Sequence, residues 1–163
     1  PDLSQQSVAE ITVTSLIGVR CRLTPAAVAL KVYGGRSCTY GDLLLDCTLL
    51  ASRLRNETGF EHGAGMALGV NEGPSMVTLE LAILFAGGYF VPLDLQYPAS
   101  RLLHMLSSAA ATFLVAPDQW LVAPIGAEVC SRAGAGHLVH SYTDLLCRNL
   151  HRPDSRSFCQ TKR

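Results

Sequence analysis

No stretch of this chain is long and apolar enough to cross a bilayer. The longest strongly apolar run, Leu81 to Leu93, is broken by Gly87, Gly88 and Pro92, whereas a spanning helix needs about 20 apolar residues. Net charge is missing too: 13 Lys and Arg balance 13 Asp and Glu, so no global field draws the chain toward nucleic acid or an acidic membrane. No basic-then-apolar leader with a small-residue cleavage site opens it. The first residue, Pro1, reads as the start of a fragment or a processed product. Cys21, Cys38, Cys47, Cys130, Cys147 and Cys159 include no C-x-x-C pair and no compact framework. They read as reduced thiols of a cytoplasmic protein, each filling space as a small core hydrophobe. No internal repeat is present.

What the sequence does hold is enough apolar content, 48% over 163 residues, to bury the core of one domain. Charge is unevenly placed. From Cys130 onward six Lys or Arg face two acids, Asp144 and Asp154, so the last fifth is basic and the rest mildly acidic.

Residues 1–24 leave two readings open, since Val8, Ile11 and Ser15 suit a helix and the run Ile11-Thr12-Val13-Thr14 suits a strand. Beyond them the signals sharpen. Val28 to Tyr33 alternates as a strand, Gly34-Gly35 is a hairpin turn, and Ser37 to Tyr40 returns. Thr39-x-x-Asp42 reads as a capping box, followed by Leu43, Cys47, Leu50 and Leu54 at helical spacing, with Gly59 as the stop. Met66 to Val70 is a short apolar strand. Pro74 suits a first helical turn, and a helix apolar nearly all round, from Met76 to Ala86, is a buried one. Gly87-Gly88 ends it, Tyr89 to Leu93 is the next strand, Pro98 opens a helix with Leu102, Leu103 and Leu106, and Thr112 to Ala116 is a final strand. This alternation predicts an α/β fold: a parallel or mixed sheet over residues 27–117, with helices near 41–58, 74–87 and 98–110 on both faces. After Pro117 the periodicity fades. Residues 118–163 read as a divergent, partly disordered basic tail with one helix around Thr143 to Leu150, and residues past about 150 are expected to be mobile.

Two stretches resemble the first core motifs of the adenylation domains of nonribosomal peptide synthetases, in the adenylate-forming ligase superfamily. Ser37-Cys38-Thr39-Tyr40-Gly41-Asp42-Leu43 is similar to "L-T-Y-x-E-L". Leu81 to Asp94, with Ala86-Gly87-Gly88 and Val91-Pro92-Leu93-Asp94, is similar to "L-K-A-G-x-A-Y-V-P-L-D". Connecting text agrees in order: Thr24 to Leu30 resembles the lead-in "P-d-x-v-A-l", Gly59 to Leu68 resembles "G-v-x-x-G-D-x-V-A-L", and Tyr97-Pro98-Ala99-Ser100-Arg101-Leu102 resembles "Y-P-x-x-R-L". The likeness covers roughly residues 24–117 and favours the amino-acid-activating branch over acyl-CoA synthetases. Phe85 stands where the family often has Lys, Asp42 where it has Glu, and Ala64 where it has Asp. The resemblance implies the N-terminal part of this ligase fold, incomplete, occupying residues 1–117, and a helix over residues 3–18.

The resemblance also implies an activity: with ATP and Mg²⁺ the parent enzyme joins a carboxylate to the α-phosphate, releases pyrophosphate, and hands the acyl group to a carrier-protein phosphopantetheine thiol. The family uses a Ser/Thr/Gly-rich phosphate loop ending in Lys-Gly, an Asp on the ribose and a late catalytic Lys. None of these is in this sequence. The nearest phrase, Ser141-Tyr142-Thr143-Asp144, lacks the glycines and the Lys of a phosphate cradle. The chain alone is therefore expected to bind no cofactor and to be inactive, and to need the rest of the domain and the carrier as partners. The alternative is a truncated, catalytically dead product that persists as an interaction or regulatory remnant. Thr39, Tyr40, Asp42, Leu43, Ala86, Gly87, Gly88, Pro92, Leu93, Asp94, Tyr97, Pro98 and Arg101 are read as structural motif residues. Asp94 would cap the turn after a strand, and Arg101 would pair with a carboxylate. Gly63-Ala64-Gly65 precedes a strand and is a turn, not a dinucleotide fingerprint. Cys130, His137, His140 and Cys147 match no common zinc spacing. His62 and His104 lack a paired acid or nucleophile nearby. A half-built sheet is expected to self-associate.

Overall fold

The computed structural model describes residues 12–31, 37–69, 73–133, 138–141 and 145. The first element is helix α1, Val13–Leu23. The β-branched run before it does not become a strand in the described residues, because Thr12 caps the helix. Its Oγ1 accepts from Ser15 N at 3.1 Å, and Ser15 Oγ accepts from Thr12 N at 3.1 Å. The helix expected over 3–18 is thus present from residue 13 and runs on to Leu23, while residues 3–11 lie outside the described ones.

Strands β1 (Val28–Lys31) and β2 (Ser37–Thr39) pair antiparallel; the Gly34-Gly35 turn lies outside the described residues. One correction follows: the pair forms a separate two-stranded sheet instead of joining the larger one. Tyr40, read as the end of the strand, is instead the first residue of helix α2, Tyr40–Glu57. The N-cap decides this boundary. Thr39 Oγ1 accepts from Asp42 N at 3.2 Å and donates to Asp42 Oδ2 at 2.7 Å.

The main sheet has four parallel strands in the order β4-β3-β5-β6: β3 (Gly65–Leu68), β4 (Tyr89–Pro92), β5 (Ala111–Ala116) and β6 (Leu138–Ser141). Helix α3 (Pro74–Ala86) links β3 to β4, and α4 (Ala99–Ser108) links β4 to β5. Two helices, α5 (Asp118–Leu121) and α6 (Pro124–Ala133), lie between β5 and β6. Strand periodicity of two sorts the core. Met66, Leu68, Phe113 and Val115 pack with Leu50 and Leu54 of α2 and Leu79 and Ile83 of α3. Ala67 and Leu114 pack on the other face with Leu102 and Leu106 of α4 and Val129 of α6. Movement along the sheet reverses after β4, and right-handed crossovers place helices on opposite faces when direction reverses.

The apolar girth of α3 has a matching cause. Its Leu79, Ala82, Ile83 and Ala86 face the sheet, while Leu81 and Val77 pack with Cys38 of β2 and Leu43 and Cys47 of α2. The helix is sandwiched between two cores, so a polar face would have nowhere to go.

The region after Pro117 corrects the sequence reading, which saw there only a helix at 143–150. Helix α6 turns inward through Gly126 and Val129, a stripe of small residues that gives weak periodicity. Strand β6 has four residues, of which His140 and Ser141 are polar. Apart from Leu145, which is buried with the α2–α3 core, the segments 143–150 and 151–163 lie outside the described residues.

Candidate functional site

Parallel strands gather all their carboxyl ends on one edge, and ligands of such sheets bind where connections leave in opposite directions. Here the chain leaves β3 toward α3 on one face, while the flanking β4 and β5 lead to α4, α5 and α6 on the other. The candidate site is therefore the edge formed by Gly69, the α3 start at Gly73 to Ser75, Leu93-Asp94 after β4, and Pro117-Asp118 after β5. Gly69 N donates to Val115 O at 2.8 Å, holding β3 to β5 at this edge. A Cβ at Gly69 would meet the Leu95 side chain, so glycine lets Leu95 of the β4–α4 loop lie against the end of β3. Helix α3 starts on Gly73 without a side-chain cap and without an acid in its first turn, so its first N–H groups carry the positive end of the helix dipole.

The motif residues stand at three separate junctions. Thr39, Tyr40, Asp42 and Leu43 open α2, where the Arg20 guanidinium lies 5.6 Å from the Tyr40 ring centroid and Leu43 is buried. Ala86, Gly87 and Gly88 sit at the opposite, amino edge of the sheet. Gly87 takes φ 90° as the left-handed cap of α3, its carbonyl accepts from Gly63 N at 2.8 Å, and Tyr89 N donates to Ala64 O at 3.1 Å. Pro92, Leu93, Asp94, Tyr97, Pro98 and Arg101 reach the carboxyl edge. Asp94 Oδ1 accepts from Gln96 N at 2.9 Å, which is the turn-capping role expected of it. Arg101 departs from expectation: instead of a carboxylate, its guanidinium covers the Tyr97 ring at 3.8 Å from the centroid.

Other candidates scatter. Gly63 takes φ 82° in the turn before β3. His62 is exposed beside Gly87, and His104 Nε2 lies 3.4 Å from Ser108 Oγ one turn along α4. Cys130 is in α6 and His140 in β6; His137 and Cys147 lie outside the described residues. Among the described residues Cys21, Cys38, Cys47 and Cys130 are in no disulfide. Sequence reasoning missed Tyr89. Its hydroxyl donates to Ala109 O at 2.6 Å and Ala110 O at 3.1 Å, and its ring fills the space that a Cβ on Gly65 would need. An aromatic directly after Gly-Gly was the available signal.

The described residues do not fit a magnesium triphosphate. No group of three or more His, Cys, Asp or Glu among them could hold a metal ion. Asp94 is engaged with Gln96 N, and the described lysine, Lys31, is exposed in the separate β1–β2 sheet. No helix among the described residues is long and apolar enough to cross a membrane.

Comparison with known proteins gives one family. Residues 19–153 match the family model "AMP-binding enzyme". Malpinin synthetase of Mortierella alpina is 40% identical over 95 residues, 58% of this chain and 1% of that protein. Tyrocidine synthase 3 of Brevibacillus parabrevis is 33% identical over 118 residues, 72% of this chain and 2% of that protein. The solved N-terminal subdomain of Klebsiella oxytoca NpsA, in complex with 3-hydroxybenzoyl-AMSN, superimposes with a TM-score of 0.71 at 25% identity, covering 86% of this chain and 32% of that one. A putative long-chain-fatty-acid CoA ligase of Rhodopseudomonas palustris shares the fold, with a TM-score of 0.73 at 22% identity, covering 86% of this chain and 37% of that one. The chain thus spans one or two hundredths of these curated relatives and about a third of these solved chains.

Proposed function

Since this chain belongs to the AMP-binding enzyme family, we propose that it is the N-terminal scaffold of an adenylation domain, which activates an amino acid or related carboxylic acid with ATP for transfer to a carrier-protein thiol. The observation that carries this reading is the β3–α3–β4 unit. There the peptide-synthetase motif, Ala86-Gly87-Gly88 through Asp94, coincides with the turn that sets β4 against β3 and with the loop at the carboxyl edge. The relatives named for peptide synthesis and the subdomain solved with an AMSN compound support the substrate class.

Within this reading the motif residues build the edge and the chemistry comes from elsewhere. Mg²⁺, the phosphate loop and the late Lys belong to the whole domain, in the cytoplasm, with the carrier protein as its partner. The outer face of α1, with Leu16 59% and Leu23 73% exposed, is surface that promotes self-association when the chain is expressed alone.

The test has two arms. Amino-acid-dependent exchange of labelled pyrophosphate into ATP, with Mg²⁺ present, is expected to stay at the enzyme-free level for the 163-residue chain. Exchange that tracks the purified chain and is lost on boiling would refute the scaffold role. Reading the transcript past the Arg163 codon is expected to reveal a Gly-rich loop ending in Lys-Gly and a late Lys. A stop codon there would replace the parent-enzyme reading with a catalytically dead remnant.

A further inference from the structure

The last described strand of the main sheet is short and lies at its edge. β6 has four residues, is paired with β5, and has no described strand on its other side. Its His140 reaches the core. It stands opposite Val115 in the register and stacks on Phe113, with ring centroids 6.2 Å apart and planes 13° from parallel. Its Nε2 is buried and has no hydrogen-bond partner among the described residues. Nearby, Arg53 of α2 donates from Nη1 to Leu145 O at 2.9 Å, and Leu145 shares the buried cluster of Phe113 and Val115.

We propose that β6 is an acid-released edge strand, paired with β5 while the His140 ring is neutral and detached when the ring takes a proton. This device is independent of the adenylation reading. The neutral ring lies on Phe113 as an apolar plate, at the expense of one unsatisfied nitrogen. The imidazolium would bring a full charge and a second N–H donor into the same dry position. Charge among the described residues around the ring offers no relief. β5 contributes no titratable side chain, and Phe60, Phe113 and Leu145 are apolar. From α2 the Arg53 guanidinium acts on the ring with like sign. Glu128 and Arg132 of α6, a helix on the other face, pair with each other at 2.7 Å. Burial first, and Arg53 second, hold the ring's pKa below the ordinary 6.5. The sign follows. Above 6.5 both the paired and the released ring are neutral and pH has no effect. As pH falls below it, the released ring binds the proton first, and release gains up to about tenfold per pH unit until the paired ring also protonates.

Hydrogen exchange of the β6 amides, corrected for intrinsic rates and compared with those of β3, reads this directly. Between pH 7 and pH 5 the protection of residues 139–141 is expected to fall about tenfold while that of residues 66–68 stays constant. His140→Phe, which keeps the stack and cannot take a proton, should remove the pH dependence. Constant β6 protection in the unmodified chain, or an equal fall in His140→Phe, overturns the proposal. Should that variant misfold, the ring titration of His140 by NMR decides: an apparent pKa below 6.5 sustains the device, and one at or above it ends it.

Discussion

Replacing Gly88 by Ala tests the structural reading of the Gly-Gly motif at its tightest point. A Cβ built there would lie 2.3 Å from Phe60 Cζ and 2.5 Å from the carbonyl oxygen of Ala64. The two neighbours respond differently. Phe60 is 2% exposed and packs on Phe113 with centroids 5.0 Å apart, so moving its ring disturbs a filled core, at about 1–3 kcal/mol for overpacking. The Ala64 oxygen accepts from Tyr89 N at 3.1 Å, and its residue immediately precedes β3. Pushing it away strains or breaks that bond, and a buried group left unpaired costs about 1–3 kcal/mol more. Taking about 3 kcal/mol as the central expectation, and a urea m-value of roughly 1.5–2 kcal/mol/M, the midpoint should fall by about 1.5–2 M. Urea unfolding followed by circular dichroism, with a common m-value for both proteins, measures this. A shift below about 0.5 kcal/mol would show that β4 does not need this approach to β3, and the motif's structural account would fail.

Three further outcomes follow from the same coordinates. Gly18→Ala should stabilise by about 0.5–1 kcal/mol in the same assay, because Gly18 is inside α1 and its Cβ would meet only the flexible end of Arg22, at 3.5 Å. Thr39→Ala should cost about 1 kcal/mol, since Asp42 N loses its cap and Asp42 Oδ2 loses a donor. The Cys47 thiol is pushed up to about 12 by burial first, then by Asp46, Cys21 and Cys38, so iodoacetamide at pH 8.5 should spare it in the folded chain and label it in urea, read by peptide mass. The same shift has a sign: above the ordinary 9.0 the unfolded thiol loses its proton and the folded one keeps it, so this residue lowers stability as pH rises.

Legibility in the sequence tracked the strength of local signals. Pro74, Gly87 and the Thr39–Asp42 pair each fix a helix end by their own chemistry, so α2 and α3 are found within a residue or two. What one strand does with another is not local. The β1–β2 pair has ordinary strand character, and only its register, Leu30 opposite Cys38, and its packing under α1 and α3 separate it from the main sheet. Past residue 117 the information moved into spaces that side chains leave. Gly126 belongs in α6 because the Trp120 carbonyl fills the volume its Cβ would take, and no periodicity rule counts a missing atom. Arg101 failed for a related reason: a cation satisfied by the ring four residues earlier looks, in sequence, like one awaiting a carboxylate.

The motif that carried the family resemblance is thus conspicuous for geometric reasons. Gly87 must take a left-handed φ, Gly88 must clear a backbone oxygen, and Asp94 must turn the chain after β4. Each requirement admits few residue types and sits at a fixed distance from the next, which makes the string easy to read in one sequence. The start of α3 at Gly73, the Asp94 turn and the Gly69 approach together give the carboxyl edge of the sheet a set shape. β3 and β5 lie inside the sheet, whereas β4 and β6 are its edges among the described residues, and β6 carries the His140–Phe113 stack. Of these two edges, β6 is the one that carries a buried imidazole set against a proton, so it is the one expected to loosen as pH falls.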